Sequence, residues 1–278
     1  MSAVPAAGGE PSVAAAAAFR TGPDRPQVTV RVSRAEVLLS GRVRITGRVD
    51  PVLAGREVRL QQRKGGRWVG VASRLVDADG RCVFPQSGWS DNRRYRYRLV
   101  LVPTADRPGS ASHPVSVAVQ RRVSYRVETR GDLVVDRRDF RDKVAEIYAD
   151  PRGWSRGFVR LVRVRSGGAF SLVLAASEVM PSFGAICDTY WSCRTGRYAV
   201  INENRWRFGT PVFRRHGGTM GEYRAMVTNH ETGHWFGLGH ASCPAKGAAA
   251  PVMMQQSMGL HGCEPNAWPR RWEADRIR

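Results

Sequence analysis

The chain is poor in lysine. Of the 44 basic side chains in its 278 residues, only Lys64, Lys143 and Lys246 are lysines, and the rest are arginines. With 24 acidic residues the formal charge is +20. The arginines are spread along the whole length and are accompanied by alanine and glycine runs, which is what a GC-rich genome produces on its own. Without clustering, the charge predicts no specific nucleic-acid site. It does predict weak, salt-sensitive attraction to anionic partners such as a cell-surface polymer. Apolar runs of roughly 18–20 residues are also missing, so no transmembrane span is expected. No lysine or arginine precedes Arg20, so the apolar stretch "PSVAAAAAF" (Pro11–Phe19) lacks the positive leading region of a signal peptide. Residues 1–25 read as a disordered N-terminal segment or a signal remnant.

Cysteines are few: Cys82, Cys187, Cys193, Cys243 and Cys263. No two have CxxC spacing, which argues against a structural zinc site built from thiolates. Cys187 and Cys193 bracket a short loop, and Cys243 and Cys263 bracket a longer segment. The two pairs, Cys187–Cys193 and Cys243–Cys263, are either local disulfides, as suits an exported chain, or reduced thiols. Cys82 is left over and fits a strand as a small apolar residue.

What is present is 42% hydrophobic, enough to bury a core. Residues 26–120 hold short runs rich in Val, Ile, Tyr and Arg, several alternating apolar with polar, as at Val43, Ile45 and at Tyr95, Tyr97, Leu99. Turn signals separate them ("KGG" at 64–66, "DADG" at 77–80), so this stretch is expected to be an all-β sandwich. From about Arg122 the pattern changes. "SYRVET" (124–129) reads as a further strand. Asp136 opens a helix, with Asp139 as part of a capping box and Phe140, Val144, Ile147 and Tyr148 on one face. "FVRLVRV", "AFSLVLAA" and "RYAVIN" read as strands. A second helix starts at Thr219, capped by Glu222, and the chain after His240 reads as loops. Residues 122–278 are therefore expected to form an α+β domain.

One run stands apart: "NHETGHWFGLGH", Asn229 to His240. On a helix His230 and His234 lie one turn apart on one face and can ligate one metal ion. Glu231 is offset by about 100° around the axis, free to handle a proton. Gly237 permits the left-handed turn that ends the helix and returns the chain, so that His240 reaches the same ion. Three imidazoles leave a fourth position open on Zn2+, as catalytic sites do. Zinc there would acidify a water and polarise a carbonyl, with Glu231 as general base.

The five positions His230, Glu231, His234, Gly237 and His240 match the H-E-x-x-H-x-x-G-x-x-H pattern, and the run resembles the metzincin clan of zinc endopeptidases. That resemblance implies a methionine turn beneath the metal, which "PVMMQQS" can supply through Met253 or Met254. From about Tyr125 to Trp268 the chain also resembles an actinobacterial family, domain of unknown function 3152. The shared strings are "DPRGW", "SCR", "VINENRW", "YRAMVTNHETGH", "APVMMQQS" and "GCEPNAWP". Residues 26–120 are similar in pattern to the bacterial immunoglobulin-like modules of exported proteins.

These readings lead to an expectation: an extracellular or cell-surface zinc metallopeptidase, monomeric, cutting a protein or peptide substrate laid as a strand along an edge formed by "AFSLVLAA" or "RYAVIN". The alternatives are a zinc amide hydrolase acting on cell-wall peptides and a non-catalytic surface-binding protein with structural zinc. Gln255, Gln256, His261 and Tyr223 are candidates to stabilise a transition state. Asn229, Asn202 or backbone carbonyls are candidates to orient the histidines.

Overall fold

The structure is a computed structural model that describes residues 25–277; all but the last residue of the expected 1–25 segment lies outside the described residues. The chain runs β1 (Gln27–Val32), β2 (Glu36–Leu38), β3 (Val43–Asp50), β4 (Glu57–Lys64), β5 (Arg67–Leu75), β6 (Arg81–Gln86), β7 (Arg94–Leu101), β8 (Ser110–Ala111) and β9 (Val115–Arg130). It continues through α1 (Arg137–Ala149), β10 (Val159–Arg163), β11 (Phe170–Ala175), β12 (Cys193–Thr195), β13 (Tyr198–Asn202), α2 (Glu203–Phe208), α3 (Pro211–Arg215), α4 (Met220–Trp235) and α5 (Arg271–Asp275). This is a mixed α/β protein with a large sheet and few helices. No helix among the described residues is long and apolar enough to cross a membrane.

Contacts divide the chain into two units. The first takes residues 25–34, 43–86 and 96–116. In it β3 pairs antiparallel with β1 and β6, and β4 pairs antiparallel with β5 and β7. The alternation in the sequence has a direct cause: Val43, Ile45 and Val49 of β3 face inward and are buried, as are Val58 and Leu60 of β4, while the arginines between them face out. Gly47 marks the close approach of the layers. A Cβ there would sit 2.4 Å from Leu99 Cδ1 and 2.7 Å from Cys82 Sγ. Cys82 lies in β6 as a buried free thiol, and burial pushes it up to about 11.

The second unit takes residues 35–42, 87–95 and 117–277. Its sheet runs β12-β13-β11-β9, with β11 parallel to both neighbours and β12 antiparallel to β13. Every residue of β11 is buried, as expected of a parallel strand covered on both faces. One face, Leu172, Leu174, Ala199 and Ile201, joins the main core with α1 and α4. The other, Val173, Ala175 and Val200, packs on Met180 and Cys187–Cys193. Helix α1 begins at Asp136, whose side chain accepts from Arg138 N and Asp139 N, and it buries Phe140, Val144, Ile147 and Tyr148. Each such side chain contributes about 1.5–3 kcal/mol by burial. Asp139 makes no reciprocal bond to the cap, so the expected box is a simple N-cap.

Four expectations are corrected. "VSVAV" and "SYRVET" are one continuous strand, β9, because the polar Gln120–Arg122 between them keeps its ladder pairing. Neither "AFSLVLAA" nor "RYAVIN" is an edge: β13 is covered by β12, whose three residues form the edge. The second unit holds more than two helices, since α2, α3 and α5 were not expected. The segment after His240 is not all loop, because it carries α5 and a bridge between Ala249 and Glu264.

Candidate metal centre

Helix α4 sets the site. Thr219 and Glu222 form a full capping box, with Thr219 N donating to Glu222 Oε2 at 2.8 Å and Glu222 N to Thr219 Oγ1 at 3.2 Å. The helix is buried from Ala225 through Gly233, so its orientation is fixed on all sides. It ends at the glycine expected to end it. Gly237 has φ +89°, its N–H donates to His234 O, and Leu238 N donates to Gly233 O. The reversed chain brings His240 back to the helix.

The three histidines converge. His234 Nε2 lies 3.0 Å from His230 Nε2 and 3.1 Å from His240 Nε2. His230 Nδ1 is 2.8 Å from Val252 O and His234 Nδ1 is 2.9 Å from Leu238 O. A carbonyl only accepts, so both Nδ1 atoms carry the hydrogen, and both Nε2 atoms present lone pairs in the neutral ring. The rings stay neutral. Burial, then the neighbouring His234, lowers His230 to about 3, and burial lowers His234 and His240 as well. The His230 and His234 lone pairs facing each other at 3.0 Å repel unless a cation lies between them, and two imidazoles of defined tautomer with a third beside them suit Zn2+. The residues present therefore fit the metal the sequence pattern implies.

Backbone carbonyls orient the first two histidines. The asparagines considered for that role do other work. Asn229 Nδ2 donates to Ala267 O, and Asn202 caps α2 and donates to Thr189 O.

Glu231 is 4% exposed, its Oε2 has no hydrogen-bond partner, and burial raises its carboxyl to about 8. It lines a cavity of about 530 Å³ together with all three histidines. Beneath them, Met253 packs against α4, with its Sδ 2.2 Å from where a Cβ on Gly233 would stand. Met254 is also buried and lines the cavity. The methionine segment is held by Glu273 of α5, whose carboxylate accepts from Val252 N, Met253 N and Arg270 N. Cys243–Cys263 closes the loop around it.

Of the four candidates for stabilising a transition state, two face the cavity with a function still open to them. Gln255 lines it and is exposed. Tyr223 lines it with its hydroxyl 2.8 Å from Ser257 Oγ. Gln256 is committed to Pro251 O, Asn266 O and Asn266 N, and His261 does not line the cavity. Arg194, Arg205 and Glu273 belong to the site or its support without a motif of their own. Arg194 and Arg205 do lie inside the strings "SCR" and "VINENRW", but nothing local marks them as cavity residues.

Comparison with known proteins gives one family. A family model described as "Protein of unknown function (DUF3152)" matches residues 108–270. No curated protein matches the chain. Among solved structures, one described as "Structural basis of T cell specificity and activation by the bacterial superantigen toxic shock syndrome toxin-1" is similar over 34% of this chain and 98% of that chain, at 7% identity and a TM-score of 0.27. A likeness that slight carries no argument about fold or activity.

Proposed function

The chain belongs to the DUF3152 family, and from that premise we propose that it is an exported, zinc-dependent endopeptidase of metzincin-like type. The observation that carries the reading is the convergence of three histidine Nε2 atoms beside a buried, unpartnered carboxylate in one cavity. His230, His234 and His240 would hold the metal. Zinc supplies Lewis acidity when bound, acidifying water and polarising a carbonyl. Glu231 takes the proton from a water in the cavity and returns it to the leaving amine. Its buried Oε2 has no hydrogen-bond partner, which leaves it free for that exchange. Gln255 or the Tyr223 hydroxyl is the donor for the developing oxyanion.

The substrate enters as an extended strand against β12, the sheet edge beside the cavity, since Cys193 and Arg194 of β12 line it. In this reading residues 122–278 form the peptidase domain and 26–120 an immunoglobulin-like spacer. The two disulfides suit an oxidising compartment. The test compares zinc-loaded and chelator-treated full chain on a broad peptide library. Cleavage should require zinc, and Glu231→Gln should retain zinc while losing about 10²–10⁴-fold in rate. Equal cleavage with and without zinc sinks the reading.

A further inference from the structure

The cavity has a charged wall that the hydrolytic step does not use. Arg194 sits in the edge strand β12, where its backbone pairs with Ala199 of β13. The side chain of Cys193 points to the face of the sheet that holds Cys187, so Arg194 points to the opposite face, the one covered by α4. Arg205 comes from α2, its guanidinium lying over the Tyr190 ring at 4.3 Å. Both line the cavity. The Nε atom of each is buried and has no hydrogen-bond partner.

Several arginines elsewhere in this unit are ion-paired. Arg126 and Arg130 flank Glu128, Arg152 meets Asp150, and Arg271 meets Asp275. Among the described residues, no carboxylate lies within ion-pair distance of Arg194 or Arg205. The other acid on the cavity wall, Asp188, is exposed, and its Oδ1 accepts from Tyr190 N and Trp191 N of its own loop. Unused donors in a partly dry wall leave room for an anionic partner. A guanidinium fork matches a carboxylate best, and Arg205 already rests over the Tyr190 ring.

We propose that Arg194 and Arg205 are specificity-determining residues that select an acidic peptide, with Asp or Glu side chains next to the bond that is cut. This rests on the peptidase reading above. The zinc-loaded full chain is assayed on matched peptides carrying Glu, Gln or Lys at one position, each with a free or an amidated C-terminus. The Glu peptide should exceed its Gln counterpart by about tenfold in kcat/KM, with Lys lowest. Arg194→Gln and Arg205→Gln should each collapse the Glu-to-Gln ratio, chiefly through KM, and Arg→Lys should restore part of it. A Glu-to-Gln ratio near one in the parent chain overturns the proposal, and this arm needs no variant to fold. So does a ratio that persists in both glutamine variants. A preference that appears only with a free C-terminus assigns the carboxylate to the chain end and overturns the side-chain assignment. If no peptide is cut, the peptidase reading falls. The selectivity is then judged by titrating the same peptides into the Glu231→Gln chain in a calorimeter, where tighter binding of Glu than Gln supports it and equal binding overturns it.

Discussion

His230 and His240 serve one centre from two kinds of structure. His230 comes from the middle of a buried helix, is itself buried, and has its Nδ1 fixed by Val252 O. His240 comes from the segment that follows, is exposed, and its Nδ1 has no hydrogen-bond partner among the described residues. One ring is placed by the fold and the other is delivered by a loop. Preorganisation should therefore concentrate metal affinity in the helix, and the loop should govern access and exchange.

The largest expected effect separates the two directly. His230→Ala should weaken zinc binding by roughly a thousandfold, about 4 kcal/mol, while His240→Ala should cost only about tenfold to a hundredfold. Competition with a chromophoric chelator measures both, and equal losses would erase the distinction. Next comes the clasp on the loop side. Replacing Cys243 and Cys263 with serine opens a bridge of sequence separation 20, and unfolding in guanidinium should show about 3 kcal/mol lost. The same change at Cys187 and Cys193, separation 6, should cost about 2 kcal/mol. Only the first should also lower zinc affinity, by an amount like that of His240→Ala. If both pairs lower it alike, the loop is not what the clasp protects.

The smallest effects contrast two glycines. A Cβ at Gly233 would meet Met253 Sδ at 2.2 Å and the Trp154 ring at 3.0 Å, so Gly233→Ala should destabilise by about 1–3 kcal/mol through overpacking. A Cβ at Gly237 meets nothing within 4 Å, but φ is +89°, so Gly237→Ala should cost about 1–2 kcal/mol of backbone strain. Denaturation midpoints give the comparison. A neutral Gly233→Ala would mean that Met253 moves freely and is no fixed floor.

What the sequence made legible follows the same division. The three converging histidines, the glycine that turns the chain and the Thr219–Glu222 cap are all encoded within a few residues, where helix spacing suffices to read them. The partners that give the site its character are not local. Val252 O, Glu273 and Arg194 reach it from 22, 43 and 36 positions away from His230, and no spacing rule spans that distance. Helices α2, α3 and α5 are too short, at five or six residues, to display a period. The start of α3 did carry a readable sign: Thr210 as N-cap, followed by Pro211 in the first turn. In β9 the polar run Gln120–Arg122 interrupts the apolar pattern, although no glycine, proline or asparagine stands there to turn the chain.

Glu273 has a consequence for inheritance. Its buried carboxylate holds the N–H groups of Val252 and Met253, and Val252 O in turn holds His230. A mutation in the last turn of the chain thus reaches the first histidine through a single intervening residue. Lineages that lose Glu273 are expected to lose the constraint on His230 with it, so the two positions should be kept or abandoned together although 43 positions separate them.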